Sequence, residues 1–154
     1  MTADDLHGVA ERRLRRIDQR YTSGRRSIIE LLVTAGHPVS IGDIAERLPW
    51  LPRSSAYRHL ADLQGAGLVR RVSASDEFTR FELAEDLTEH HHHLLCTGCG
   101  KVTDVTPPHA FEQQVSGAVA SIAGAEGFQA HSHRLDVIGL CAACQHEHQA
   151  GVSR

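Results

Sequence analysis

Apolar residues recur at helical spacing in four segments of the first half of the chain. They predict an amphipathic helix over Leu6–Arg20 and a short buried helix over Arg25–Ala35. Ser40 is placed to cap the next short helix, and a further helix extends over Arg53–Ala66. Gly67 is expected to end the helical region, because glycine readily takes the left-handed conformation that closes a helix.

Two strand-like runs follow, over Leu68–Ser73 and Phe78–Leu83, and a polar hairpin loop over residues 73–77 joins them. Helices followed by such a hairpin are typical of a winged helix-turn-helix, whose third helix lies in the major groove of DNA. The sequence therefore predicts an N-terminal DNA-binding domain over residues 1–83.

The first turns of the predicted recognition helix carry the residues expected to contact base edges and phosphates. They are Arg53, Ser54, Ser55, Tyr57 and Arg58. Simple packing is the alternative for Tyr57. Five arginines between positions 12 and 20 give the first helix a cationic surface, which either contacts phosphates or is merely solvated.

The second half of the chain has a different pattern. Residues 84–90 show no regular apolar pattern and predict a hinge. Strands are predicted over His90–Leu95, Val102–Thr106 and Phe128–Leu140, and an amphipathic helix over His109–Ala123 precedes the last of them.

This order of elements makes the fold class α+β, with the winged helix followed by a small α/β dimerisation domain over residues 91–145. A unit of that size is too small to be well packed by itself. We therefore expect it to dimerise through an exposed sheet edge. Residues 146–154 are predicted to form a flexible tail.

All four cysteines occur in two Cys-x-x-Cys pairs, Cys96 with Cys99 and Cys141 with Cys144. Two such pairs supply a complete tetrahedral shell of thiolates, which favours a structural zinc ion with no open position for a substrate. Two disulfides, or a thioredoxin-like redox pair, are the alternatives. No signal peptide is recognisable at the N-terminus, so a reducing cytoplasm is expected and disulfides are disfavoured.

Four consecutive histidines, His90 to His93, lie just before the first cysteine pair. If they form a strand, alternate side chains point to opposite faces. His90 and His92 then share one face, and His91 and His93 share the other. This predicts two further metal sites, since imidazole is a good ligand for zinc, copper, iron and nickel. A solvated loop of histidines is the alternative.

The net charge of −3 conceals an asymmetry between the two halves. Residues 1–83 hold 13 arginines and no lysine against 11 acidic residues. Residues 84–154 hold 3 basic and 8 acidic residues, together with 9 of the 12 histidines. No apolar run approaches the length that spans a membrane, so no membrane partner is expected. The division suggests a binding half and a sensing half.

Several motifs are shared with a known family. They are Ser55-Ala56-Tyr57-Arg58-His59-Leu60, the block from His90 to Cys99, Gly100-Lys101-Val102, and the pair Cys141 and Cys144. On these motifs the chain resembles the ferric uptake regulator (Fur) family over roughly residues 20 to 145, and within it the zinc-sensing (Zur) branch. The resemblance implies a metal-dependent repressor, not an enzyme, that binds inverted-repeat operator DNA as a homodimer.

The resemblance also implies three sets of metal ligands. The structural zinc site is Cys96, Cys99, Cys141 and Cys144. The hinge sensing site is His37, Glu82, His91 and His93. The third site is His90, His92, Glu112 and His133. The regulatory metal is expected to be divalent, with zinc favoured and iron or nickel as alternatives, because the sites are rich in nitrogen.

Other functions fit the sequence less well. A peroxide sensor of this family uses iron on an aspartate-containing site, and no aspartate was matched to the site. A zinc-dependent hydrolase or deaminase needs an open coordination position and a general base, for which Glu82 or Glu112 would be the candidates. The chain lacks the His-x-Glu and Pro-Cys-x-x-Cys motifs of deaminases. A metal-storage protein would not need Tyr57, Arg58 or a wing, and no small organic substrate is expected.

Overall fold

The computed structural model describes residues 3–72, 79–88 and 90–146. The helices are α1 (Ala3–Arg15), α2 (Ser23–Ala35), α3 (Ile41–Arg47), α4 (Arg53–Gly65), α5 (His109–Ala125) and α6 (142–146). The strands are β1 (Val39–Ser40), β2 (Val69–Val72), β3 (Arg80–Leu83), β4 (His92–Cys96), β5 (Val102–Val105) and β6 (Asp136–Gly139). A 3₁₀ turn over Glu85–Leu87 lies between the two halves.

The elements from α1 to β3 share one apolar core and form a winged helix, as the sequence predicts. The strands lie in the order β1-β3-β2 and all pairs are antiparallel. The most deeply buried side chains include Leu14, Ile28, Ile29, Ile44, Leu60, Leu63 and Leu68. Each such side chain contributes roughly 1.5–3 kcal/mol through burial, so this core fixes the orientation of α4 relative to the strands.

Local signals set several helix ends. Ser40 and Asp43 form a reciprocal capping box at the start of α3, as the position of Ser40 suggests. Gly67 takes a φ of 65°, the left-handed conformation predicted for it. The first helix ends at Arg15, five residues before the predicted end, and Asp18 takes a φ of 55° in the turn that follows. The predicted hairpin loop over residues 73–77 lies outside the described residues.

The second half contains a sheet in the order β5-β4-β6, with α5 between β5 and β6 in the chain. Strand β4 is central, antiparallel to β5 and parallel to β6. In this register His93 lies opposite Asp104 on one side and opposite Asp136 on the other. The central histidine strand is therefore flanked by a carboxylate from each neighbouring strand.

The third predicted strand is mostly wrong. Only Asp136–Gly139 pairs with β4, and residues 128–135 form no regular structure. The backbone N–H of Phe128 donates to the carbonyl oxygen of Ala123 at 2.7 Å, which keeps the chain at the end of α5 and away from the sheet. His146 was assigned to the flexible tail, yet it ends α6.

The apolar stripe of α5 is not buried within one chain. Phe111 and Ile122 are 41% and 68% exposed, and Val137 and Ile138 on β6 are 50% and 60% exposed. Apolar exposure of this kind marks a surface that a partner covers. None of the described helices is both long and apolar enough to cross a bilayer.

Polar contacts join the two halves of the chain. Arg80 on β3 donates from Nε to the carbonyl oxygen of Gly100 at 2.7 Å. Arg13 on α1 forms an ion pair with Asp86, which lies in the turn between the halves. Arg13 also donates to the carbonyl oxygen of Gly67, within the winged helix. Exposed ion pairs contribute about 0–1 kcal/mol each, so such contacts restrain the relative orientation of the halves only weakly.

We expect Asp43→Asn to destabilise the protein at neutral pH and much less in acid. Partial burial alone would raise the pKa of Asp43, but hydrogen bonds from Ser40 and the charges of Arg80 and His37 lower it overall. The stabilisation is therefore present above the ordinary aspartate pKa of about 3.9 and is lost as the pH falls through the lowered value. Urea unfolding at pH 7 should show a loss of about 0.3–1 kcal/mol.

The matched control is Glu46→Gln, which removes the same charge from an exposed position beyond the first turn of α3. Its effect at pH 7 should be smaller. Equal effects of the two substitutions at pH 7 would contradict the capping argument.

Candidate metal centres

The four cysteines converge at one end of the second sheet. Cys96 ends β4, Cys99 lies in the following turn, and Cys141 and Cys144 flank the start of α6. Their Sγ atoms all lie within 4.8 Å of one another, and those of Cys99 and Cys141 are 3.8 Å apart. Four sulfurs about 2.3 Å from a central zinc ion would be about 3.8 Å apart. The cysteines are all free thiols, so the disulfide alternative is not what the structure shows.

Backbone groups around this cluster favour a thiolate. The N–H of Cys141 donates to Cys96 Sγ at 3.2 Å, and with the N–H groups of Cys99 and Gly98 it lowers the pKa of Cys96 to about 6. Hydrogen bonds with Cys141 and Cys99 raise the pKa of Cys144 to about 12. A bound thiophilic cation would displace the remaining thiol protons. The donor set fits zinc.

A second cluster joins the winged helix to the second sheet. It consists of Glu82 on β3, His91 just before β4, His93 on β4 and Asp104 on β5, with one ligand atom from each lying within 4.8 Å of the others. Glu82 Oε2 is 3.3 Å from His91 Nε2 and 3.1 Å from His93 Nε2. His93 Nε2 is 3.8 Å from Asp104 Oδ1. These contacts bring ligands from both halves of the chain to one point.

Carboxylates contact both ring nitrogens of His93. Its side chain is fully buried, and Nδ1 lies 3.1 Å from Asp136 Oδ1 on β6. A histidine held in this way by a carboxylate presents its other nitrogen to a metal in a fixed orientation. Burial alone would lower the pKa of His93 and raise that of Glu82. Their mutual hydrogen bond and opposite charges outweigh burial, so the pKa of His93 is raised and that of Glu82 is lowered, and the charge of Arg70 adds to the lowering at Glu82.

The membership of this cluster differs from the predicted one. His37 is outside it, with Nδ1 3.2 Å from the carbonyl oxygen of Pro38, and its ring lines the same cleft of about 430 Å³ as Glu82, His91 and Asp104. Asp104 is not among the predicted ligands, although the structure brings it to this cluster. Its place opposite His93 in the β4–β5 hairpin is the signal that would have identified it.

A third cluster lies on the other face of β4 and brings together all four residues predicted for the third site. Glu112 on α5 provides both carboxylate oxygens: Oε2 lies 3.0 Å from His92 Nε2, and Oε1 lies 2.9 Å from His133 Nε2 and 3.3 Å from His90 Nε2. The rings of His90 and His92 are 4.8 Å apart. The division of the four histidines between two clusters is the one that strand alternation predicts. His133 reaches Glu112 from a loop, not from the expected strand.

The cluster of Glu82, His91, His93 and Asp104 contains a buried polar atom, Asp104 Oδ1, with no hydrogen-bond partner among the described residues. In the third cluster, His90 Nε2 and His133 Nε2 both face the same carboxylate oxygen, Glu112 Oε1. Burying a polar atom without a partner costs free energy. A cation bound among these atoms would remove that cost, and imidazole and carboxylate donors suit a divalent transition metal. The residues present therefore fit a metal ion at each cluster.

The candidate DNA contacts lie on the first turns of α4. Arg53, Ser54, Tyr57 and Arg58 are exposed, and Ser55 is half-buried. Tyr57 is 51% exposed, which argues against simple packing. Arg53 and Tyr57 line a groove that runs between α4 and the strands of the wing. This surface is open to a partner.

A winged helix with an exposed recognition helix, joined to a sheet that carries three ligand clusters, defines a metal-responsive DNA-binding protein. Comparison with known proteins gives the family. The sequence pattern of the Ferric uptake regulator family matches residues 16–138. The chain belongs to this family, whose members are dimeric, DNA-binding transcriptional regulators and not enzymes.

Individual relatives agree with this assignment. The peroxide operon regulator of Bacillus subtilis is 30% identical over 149 residues, which cover 94% of this chain and 96% of the relative. The ferric uptake regulator of Helicobacter pylori, described with three functional metal-binding sites, superimposes with a TM-score of 0.72 at 21% identity over 94% and 95% of the two chains. The ferric uptake regulator of Vibrio cholerae superimposes with a TM-score of 0.64 at 27% identity, over 83% and 96%.

We expect Gly98→Ala to disturb the four-cysteine cluster. A Cβ atom at this position would lie 2.9 Å from Cys144 Sγ, closer than real contacts allow, and a tight 3.1 Å from Cys144 Cβ. Competition with a chromophoric chelator should show faster loss of zinc than in the wild type. Gly117→Ala is the control, since a Cβ there meets nothing within 4 Å. Equal zinc retention in the two variants would show that the approach of Cys144 to Gly98 is not needed.

We expect Asp136→Ala to weaken metal binding at the cluster of Glu82 and His93 by about 10–100-fold, the usual effect of losing a carboxylate behind a histidine ligand. Calorimetric titration of the zinc-loaded protein would measure this. Arg134→Ala is the control, because Arg134 contacts only the other oxygen, Asp136 Oδ2, at 3.0 Å. A similar loss in both variants would mean that Asp136 does not act through His93.

Proposed function

We propose that the protein represses transcription by binding inverted-repeat operator DNA as a homodimer when a divalent metal fills the cluster of Glu82, His91, His93 and Asp104. The observation that carries this proposal is that the cluster bridges the two halves: Glu82 comes from the winged helix, and the other three come from the second sheet. A metal held by both halves restricts their relative orientation.

We assign a separate role to each successive segment of the chain. Residues 1–83 bind DNA, residues 84–90 form the hinge, and residues 91–145 carry the metal sites and dimerise. The four cysteines hold a structural zinc ion, because a shell of four thiolates leaves no position for exchangeable ligands. The cluster of His90, His92, Glu112 and His133 is a further metal site on the opposite face of the same strand.

Orientation matters because a dimer presents two recognition helices. The two helices must match half-sites one helical turn, or about 34–36 Å, apart. Restricting the angle at the hinge favours the arrangement in which both fit at once, so metal shifts a pre-existing equilibrium towards the DNA-binding state. His37 lines the same cleft as the cluster, and we propose that it joins the ligands as the cleft closes.

The exposed apolar side chains of the second half support the dimer. Phe111 and Ile122 on α5 and Ile138 on β6 are each at least 41% exposed in a single chain. Strand β6 is at the edge of its sheet, so its outer backbone groups have no strand partner within the described sheet. An edge strand next to uncovered apolar residues is suited to pairing with a second copy.

Zinc is the regulatory metal that we propose first, because two imidazoles and two carboxylates suit a tetrahedral shell, and zinc can expand to five ligands when His37 joins on closure. An iron-dependent peroxide sensor is the second candidate. It is favoured by Asp104, which gives the cluster the aspartate that such a sensor uses, and by the similarity to the peroxide operon regulator of Bacillus subtilis.

Operator binding by the zinc-loaded protein tests the proposal. We expect the shift of an inverted-repeat duplex to require a second equivalent of metal and to be lost with a chelator. His91→Ala combined with His93→Ala should abolish this dependence, because it removes two ligands, while leaving a dimer that retains its structural zinc. His109→Ala, an exposed histidine outside the clusters, should behave as the wild type.

Titration with zinc, nickel, iron and manganese in turn identifies the metal. Release of DNA by hydrogen peroxide only in the iron-loaded form would select the second candidate. Unchanged metal dependence in the double variant would show that the cluster of Glu82, His91, His93 and Asp104, the hinge cluster, is not the sensor.

A further inference from the structure

Arg70 lies directly behind the hinge cluster. It is on β2, paired with Glu82 on β3 in the strand register, and its side chain is 17% exposed. Its Nε donates to Glu82 Oε1, and its Nη1 lies 3.5 Å from Glu85 Oε2. Two carboxylates therefore hold one guanidinium, which is a stable arrangement because arginine is always charged and presents a planar fork of donors.

The two oxygens of Glu82 have different partners. Oε1 accepts from Arg70, whereas Oε2 faces His91 Nε2 and His93 Nε2. While Arg70 holds Oε1, Glu82 can offer only Oε2 to a metal. The cluster then supplies one atom from each of its four residues and no second oxygen from Glu82.

Arg70 has a second carboxylate partner. Its Nη1 contacts Glu85, and the other oxygen of Glu85 accepts from His90 Nδ1. Arg70 is thus held between a ligand of the hinge cluster and the carboxylate that orients a ligand of the third cluster. This packing makes the restriction on Glu82 a property of the fold.

We propose that Arg70 determines the metal selectivity of the hinge cluster by limiting Glu82 to one oxygen. This inference rests on the proposed function, since it requires that the cluster binds metal. Zinc readily accepts four ligands in a tetrahedron, whereas manganese prefers six oxygen-rich ligands. A carboxylate free to bind through both oxygens adds a ligand, which favours manganese over zinc. Arg70 therefore favours zinc.

The test measures the ratio of the dissociation constants for Mn²⁺ and Zn²⁺ at the hinge cluster. The full-length, zinc-loaded protein is used without DNA, and His133→Ala is present in every arm to remove the third cluster from the titration. Loss of the arginine charge strengthens binding of both divalent ions by electrostatics, so the ratio isolates the effect of coordination. We expect Arg70→Met to lower the Mn²⁺/Zn²⁺ ratio by about tenfold, the lower end of outer-shell effects.

Arg71→Met is the matched control. It removes the same charge from the next residue of β2, whose side chain points to the other face of the sheet and donates to Thr79 Oγ1 at 2.7 Å. We expect its ratio to equal that of the wild type. An unchanged ratio in Arg70→Met, or the same change in both variants, would overturn the proposal for Arg70.

A spectroscopic measurement keeps the proposal testable if Arg70→Met does not fold. Co²⁺ bound to four or five ligands absorbs visible light far more strongly than Co²⁺ bound to six. We expect the strong spectrum from the protein that retains Arg70, and a weak six-coordinate spectrum there would overturn the proposal. A protein that binds no ion beyond its structural zinc would instead overturn the proposed function, so the two failures are distinguishable.

Discussion

The contact on which the structure most depends is the pairing of His93 with carboxylates on both sides of its ring. Asp136 lies at one nitrogen and Glu82 at the other, and the imidazole between them is fully buried. Asp136 belongs to the second sheet and Glu82 to the winged helix. One side chain therefore connects the sheet that carries the metal ligands to the domain that carries the recognition helix.

Strand β4 extends this connection to both faces of its sheet. Because successive side chains alternate, His92 points to Glu112 on α5 while His93 points to Glu82 on β3. The strand ends at Cys96, so the four-cysteine cluster anchors the same strand that feeds the two histidine clusters. The strand that joins the three clusters is short and hydrogen-bonded on both edges.

The features predicted correctly from the sequence are those that depend on a local pattern of residues. Helical spacing, the cap at Ser40 and strand alternation all predict contacts within a few residues, and these predictions match the structure. Asp104 was missed because its place opposite His93 depends on the register of a hairpin, which no residue type specifies. The last strand was predicted too long because an alternating pattern does not reveal where pairing with β4 stops. The contacts of Arg70 could not be predicted from the sequence, since they depend on which carboxylates the fold brings beside it.

The weakness of the other contacts between the halves explains why a metal can act as a switch. An exposed pair such as Arg13 and Asp86 contributes little and is screened by salt. On the proposed function, a metal held jointly by Glu82 and His93 would add a much stronger restraint between the halves. Metal binding and closure would then be coupled reciprocally, so operator DNA that selects the closed arrangement would raise the affinity for the metal by the same factor. The weakness of the other contacts is what would let a single ligand control this equilibrium.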